Sequence, residues 1–358
     1  MRKLLKKTLA ISGCVAMMAS MTACGAKPET QPEATRQTEA TMQTEATAET
    51  EGQAVKEGDA MAVNYGNMKD VSIKIEPIEL TEEWDKVFQL SDEVNHRKVT
   101  FANHFGITLA ADLYEPMEYT GKLPAIAVCG PFGAVKEQSS GLYAQELAKR
   151  GFLAIAFDPS FTGESAGYPR DFNSPDINIE DYQAAIDFLS IQENVDPEKI
   201  GIIGICGWGG MAVQTAALDT RIKATAAMTM YDMSRNTALG YFDSVDEEGR
   251  YEARIAYNRQ RTEDYKNGSY TMGGGLPEEA PEEAPQYVKD YVAYYKTERG
   301  YHPRSVNANN GWAATAGGSL MNMLLKSAAR FCLYTGKKHI LLCTARRHTN
   351  CYREIIKS

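Results

Sequence analysis

Seven cysteines and five histidines are the residues of this 358-residue sequence best suited to nucleophilic or metal chemistry. The cysteines (Cys14, Cys24, Cys129, Cys206, Cys332, Cys343 and Cys351) show no paired C-x-x-C spacing. That argues against a zinc site or a dithiol redox centre, and no metal or cofactor is expected. Cys206 stands apart. It follows the apolar run Ile200-Gly201-Ile202-Ile203-Gly204-Ile205 and opens a glycine-dense turn, Cys206-Gly207-Trp208-Gly209-Gly210, ahead of a helical stretch from Met211 to Leu218. A thiol there is either a nucleophile for acyl transfer or a small, buried and inert side chain.

A nucleophile needs a base oriented by a carboxylate. Asp232, just past the apolar run Ile222 to Met230, stands where such an acid can sit; it is equally placed to be a helix N-cap beside Ser234. The base is harder to find. His96 and His104 fall in an opening hairpin, His302 in a later insertion, and His339 and His348 in a basic tail. None of them follows a final strand and turn.

The elements that must position these groups begin near Asn95. Lys98 to Ala102 and Ile107 to Tyr114 read as a hairpin around Phe105-Gly106. Pro124 to Cys129, Phe152 to Phe157, Ile200 to Ile205 and Ile222 to Met230 are short apolar runs of buried-strand character. Helical periodicity separates them: Leu142 to Arg150, Ile179 to Ile191 with Tyr182, Ala185, Ile186 and Leu189 on one face, and Met211 to Leu218. Strands of continuous hydrophobicity alternating with helices imply a parallel sheet covered on both faces. The alternation breaks at about 233–310, a Tyr-, Glu- and Arg-rich insertion with helical stretches around Ala253 and Val288. An insertion at the C-terminal edge of such a sheet most naturally forms a lid; packing as filler elsewhere on the surface is the alternative.

The strand, glycine turn and helix around Cys206 resemble the nucleophile elbow of the α/β hydrolases, in which a strained turn exposes one side chain above the sheet. Gly130-Pro131-Phe132-Gly133 falls where that superfamily supplies its first oxyanion-hole amide, and Asp158 to Ser165 resembles the loop after the next strand. The resemblance is nearest to dienelactone-hydrolase and peptidase-like members. It implies the α/β-hydrolase fold and an oxyanion hole from the amides of Phe132 and Gly207. The elbow pattern of small residue, nucleophile and small residue fits in two registers. In one, Cys206 is the nucleophile, Gly204 the first small residue, and Trp208 fills the second small site, where an indole would wedge helix from strand. In the other, Cys206 and Gly210 are the small pair and Trp208 takes the nucleophile position, where an indole cannot attack a carbonyl. The glycine spacing, with Gly209 and Gly210 following, favours the second.

After Leu320 to Leu325, the superfamily pattern requires two more strand–turn–helix units. Ser327 to Ser358 instead carries seven Lys or Arg and one acid, which leaves the remainder near −15 against −9 overall. Codons chosen for Arg330 to Leu341 and read one base earlier can spell a buried strand and turn, as a frameshifted or truncated end would. A basic, partly helical end of no special origin is the alternative. On either reading the sheet is expected to lack its last strands.

At the other end, Arg2, Lys3, Lys6 and Lys7 precede an apolar run from Leu9 to Met21 that closes on Met21-Thr22-Ala23-Cys24. This describes a secretory signal at 1–23, too short to span a bilayer. Thr22-Ala23-Cys24 resembles the bacterial lipobox, which implies a diacylglycerol on Cys24 and an extracytoplasmic, membrane-anchored protein. Residues 24–60 are rich in Thr, Glu, Ala and Gln, with the pentad Gln-Thr-Glu-Ala-Thr at 37–41 and 43–47; such a segment cannot offset the entropy of folding and reads as a solvated linker. A folded domain is expected over 61–326 and an atypical tail over 327–358. The negative charge argues against nucleic acid as a partner.

The function expected is hydrolysis of ester, lactone or peptide-like bonds by acyl transfer through Cys206, on a small-molecule or peptide substrate. Turnover is expected to be poor, since the His is missing. The alternative is a non-catalytic binding lipoprotein of the same fold.

Overall fold

The computed structural model describes residues 74–271, 275–309, 330–334 and 340–344. The signal segment, Cys24 and the Thr/Glu-rich linker lie outside them, as do Trp312, His339 and His348. Among the described residues no helix is long and apolar enough to cross a membrane.

Among the described residues eight strands form one sheet: β1 (Val94–Ala102), β2 (Thr108–Pro116), β3 (Leu123–Cys129), β4 (Leu153–Phe157), β5 (Val195–Ile205), β6 (Ile222–Met228), β7 (Arg330–Tyr334) and β8 (Ile340–Thr344). Their spatial order is β1-β2-β4-β3-β5-β6-β7-β8. The β1/β2, β2/β4 and β7/β8 pairs are antiparallel, and β4, β3, β5, β6 and β7 run parallel to one another. The helices are α1 (Ser139–Ala148), α2 (Pro175–Ser190), α3 (Gly207–Leu218), α4 (Met233–Leu239), α5 (Glu247–Asn267), α6 (Gln286–Tyr295) and the short α7 (Val306–Asn309).

β3, β4 and the Ile200 to Ile205 part of β5 are apolar throughout because both faces are covered. On β4, Leu153, Ile155 and Phe157 join Tyr182, Ile186 and Leu189 of α2 and Met211 and Ala212 of α3 in one core. The intervening Ala154 and Ala156 face the other way, with Val128, Ile203 and Ile205, against Ala144 and Ala148 of α1. Burying a Leu or Ile side chain in such a layer stabilises by roughly 1.5–3 kcal/mol.

One expectation is corrected here. The basic tail supplies sheet rather than ending it: β7 pairs parallel with β6, Thr225 opposite Phe331 and Met228 opposite Tyr334, and β8 turns back along β7. Arg330-Phe331-Cys332-Leu333-Tyr334 and Ile340-Leu341-Leu342-Cys343-Thr344 are short runs rich in apolar and aromatic residues, a pattern of strand length. Of the seven Lys and Arg of the tail, Arg330 alone lies within these runs; Lys337, Lys338, Arg346, Arg347, Arg353 and Lys357 lie outside them.

Candidate active site

The strand-to-helix junction is built on one strained residue. Cys206 lies between β5 and α3 with φ 57° and ψ −122°, a backbone region that costs a non-glycine residue about 1–3 kcal/mol. Three hydrogen bonds hold it there: its N–H donates to Met228 O (2.8 Å), and its carbonyl accepts from Gly209 N and Tyr231 N (both 3.0 Å). The first ties the elbow to the end of β6, the last to the entrance of the insertion. Close approach requires the flanking glycines. A Cβ on Gly204 would lie 2.1 Å from the carbonyl oxygen of Trp208, and one on Gly207 would lie 2.7 Å from the ring of Phe132.

Trp208 is therefore not at the apex. It sits in the first turn of α3, 3% exposed, with its ring against Phe132, Phe157 and Tyr182. The glycine spacing misled the register because the indole does not wedge strand from helix: only its backbone oxygen faces Gly204, while the ring enters the aromatic core. Gly209 and Gly210 lie buried in the same turn.

The Cys206 thiol is half-buried. Burial pushes it above the usual thiol range; the amides of Gly207 and Phe132 and the hydroxyl of Tyr291 pull the other way. Both amides expected to form the oxyanion hole thus face the sulfur. Because a raised pKa leaves less thiolate at neutral pH, alkylation of the Cys206 peptide by iodoacetamide is expected to be slow near pH 7 and to climb through pH 9. Cys129, fully buried and held far higher, should stay unlabelled. A labelling rate that levels off below about pH 8 would contradict this environment.

The loop that carries Phe132 is fixed from both sides. Asn307 Nδ2 donates to Phe132 O and Ser305 Oγ to Gly133 O, each at 2.7 Å. Lys136 N donates to Asp158 Oδ1 (2.7 Å), and the buried Lys136 Nζ lies 3.1 Å from Asp158 Oδ2 and 2.6 Å from Glu164 Oε2, with Glu137 also in contact. Lys98 bonds Glu164 (2.8 Å) and Arg304 bonds Glu137 (2.9 Å). Burial works against the charge of Lys136, but Asp158, Glu137, Asp112 and Glu164 outweigh it and hold it cationic.

Asp232 caps α4, its Oδ1 accepting from Arg235 N at 2.9 Å, which is the capping role weighed for it above. The described histidines have carboxylate neighbours of their own: His96 with Asp112 (2.8 Å), His104 with Glu180 (3.0 Å), and the buried His302 at 3.8 Å from Asp85. The groups that shift the Cys206 thiol are the two amides and Tyr291.

Sequence reasoning did not single out Lys136, Asn307 or the tyrosines. A Lys-Glu pair three residues past Gly133 offered a signal, since charges that close to buried strands must pair. Tyr287, Tyr291 and Tyr295 offered a plainer one, at i, i+4 and i+8 on a single helix.

Comparison with known proteins places this geometry. A family profile described as X-Pro dipeptidyl-peptidase (S15 family) matches residues 106–298, from the hairpin turn to just past α6. The chain belongs to this family. The S15 match spans Phe132, Cys206, Gly207 and α6. The chain is 56% identical over 247 residues to the uncharacterized protein PA2218 of Pseudomonas aeruginosa, covering 69% of this chain and 66% of that protein. The crystal structure of PA2218 aligns with a TM-score of 0.65 at 48% identity, over 76% of this chain and 79% of that one. A thiohydrolase of Aspergillus aculeatus is 36% identical over 133 residues, 37% of this chain and 41% of that protein. The α/β hydrolase GrgF of a Penicillium species shares the fold, with a TM-score of 0.52 at 19% identity over 67% of this chain and 79% of that one. The chain thus has the α/β-hydrolase fold, and spans about two thirds of PA2218 and two fifths of the thiohydrolase.

Proposed function

We propose that this S15-family chain is an acyl hydrolase whose nucleophile is Cys206. The observation that carries the reading is that the one residue in the strained elbow conformation is a thiol, with the Phe132 and Gly207 amides at its sulfur. The thiolate attacks the carbonyl carbon, and the two amides donate hydrogen bonds to the developing oxyanion. The tetrahedral adduct collapses, the bond to the leaving group breaks, and a thioester remains on Cys206. Water then cleaves the thioester, releasing the acid and restoring the thiol.

Esters and thioesters fit this site better than peptides. An amine leaving group must be protonated as it departs, which calls for a strong general acid; an activated alcohol or thiol leaves without one. The likeness to a thiohydrolase over 133 residues supports the same substrate class. With the thiol raised and solvent as proton acceptor, turnover rises with pH through the alkaline range.

The test is hydrolysis of p-nitrophenyl esters and aryl thioesters by the full chain and by Cys206→Ala. The variant should fall to the residual rate that an oxyanion hole and binding alone supply, ~10³–10⁴-fold over water. Turnover unchanged by the substitution would remove Cys206 from the mechanism, and no turnover in either protein would favour a binding protein of the same fold.

The exported lipoprotein reading is also proposed, on the basic start, the short apolar run and Thr22-Ala23-Cys24. Intact mass should show a diacylglyceryl group on Cys24; a soluble form with that thiol free would contradict it.

A further inference from the structure

One cluster at the elbow enters the chemistry above only through the Tyr291 hydroxyl. The i, i+4, i+8 spacing puts Tyr287, Tyr291 and Tyr295 on one face of α6. Tyr231 and Tyr241 continue the row: ring centroids are 6.0 Å apart for Tyr231–Tyr241, 5.5 Å for Tyr241–Tyr287 and 5.8 Å for Tyr287–Tyr291. Tyr231 donates its backbone N–H to the carbonyl of Cys206, so the row starts at the nucleophile. Tyr231, Tyr241, Tyr287 and Tyr291 are half-buried, and Tyr295 is buried with its hydroxyl bonded to Asn307.

We propose that this row of tyrosines is the acyl-binding surface of the Cys206 site, and that the acyl group it takes is aromatic and uncharged. The inference rests on Cys206 being the acyl acceptor. Four rings of intermediate burial stand beside a half-buried thiol, unlike the close-packed rings around Trp208. Edge-to-face and tilted pairs at these spacings leave ring faces and edges for a further aromatic group, each such contact being worth about 0.5–1.5 kcal/mol. Burial raises the Tyr241 and Tyr291 hydroxyls, and the neighbouring tyrosines and Cys206 push the same way, so the phenols stay neutral. A charged acyl group would lose hydration against such neutral rings.

The experiment measures acylation of Cys206 in the full chain by p-nitrophenyl phenylacetate, by the hexanoate and by a trimethylammonio-acyl ester. The phenylacetate should react about tenfold faster than the hexanoate, equivalent to one or two aromatic contacts. In Tyr287→Leu that ratio should collapse towards one, whereas Tyr291→Phe, which keeps the ring, should retain it. Equal rates for phenylacetate and hexanoate, or a preference that survives Tyr287→Leu, would overturn the proposal. Preference for the ammonium ester would overturn it in favour of a cation cage. Binding separates this from a failure of the nucleophile. In Cys206→Ala, phenylacetamide should bind more tightly than hexanamide by titration calorimetry, whatever the esters do. Equal binding would sink the acyl surface, and acylation absent in the presence of that selectivity would sink only the role of Cys206.

Discussion

Replacing Lys136 by methionine is expected to destabilise the protein by about 3–5 kcal/mol, the range for removing one partner of a buried ion pair. Lys136 is wholly buried and touches Glu137, Asp158 and Glu164. Arg304 still reaches Glu137 and Lys98 still reaches Glu164 after the substitution, so Asp158 bears the loss. Against a typical total of ~5–15 kcal/mol, this single change removes a large share of the margin. Urea unfolding monitored by circular dichroism checks it. The double variant Lys136→Met, Asp158→Asn should recover part of the stability, because the stranded carboxylate is gone. A Lys136→Met midpoint equal to that of the native protein would mean that the cluster contributes nothing net. Activity reads the same network differently: the Asp158 carboxylate that accepts from Lys136 N and so holds the loop of Phe132 loses its ammonium partner and shifts, so folded Lys136→Met protein should show a lower kcat with a smaller change in KM.

Gly204→Ala should be nearly as damaging for a different reason. Its Cβ would lie 2.1 Å from the carbonyl oxygen of Trp208 and 2.8 Å from Ala212 Cβ. Both belong to α3, so relief requires the helix to move away from β5. Overpacking of this kind costs about 1–3 kcal/mol and more where backbone opposes it, and the shift also misplaces Gly207 relative to Cys206. Expected are a lowered melting temperature and loss of rapid acylation in whatever protein folds. Gly151→Ala is the comparison. No atom stands within 4 Å of its added Cβ, but its φ of +89° makes the change a measure of backbone strain alone. Equal effects at the two positions would mean that close approach at the elbow is not what requires Gly204.

The fold was legible because it rests on local patterns that tertiary context reinforces. Runs such as Leu153 to Phe157 are apolar at every position, and only a strand buried on both faces accommodates that. The tail was misread because its charge was taken as the property of the whole segment; Arg330–Tyr334 and Ile340–Thr344 are strands, and most of the charge lies outside them. At the elbow, glycine spacing carried too little information. Which of two registers holds the strained residue depends on where the indole of Trp208 goes, and that is decided by Phe132, Phe157 and Tyr182 from three other segments. Asn307 was invisible for a related reason. Its amide matters through a bond to Phe132, 175 positions away, and nothing in its own surroundings marks it.

The central claim is that the sulfur of Cys206 takes the acyl group, and mass spectrometry of the quenched reaction tests it most directly. The full chain is mixed with p-nitrophenyl phenylacetate, stopped with acid during the first turnover and digested. A phenylacetyl group on the peptide holding Cys206, absent from the Cys206→Ala protein, is the expected result. Release of p-nitrophenol with no acyl group on that peptide, or with the acyl group on another residue, would contradict the account.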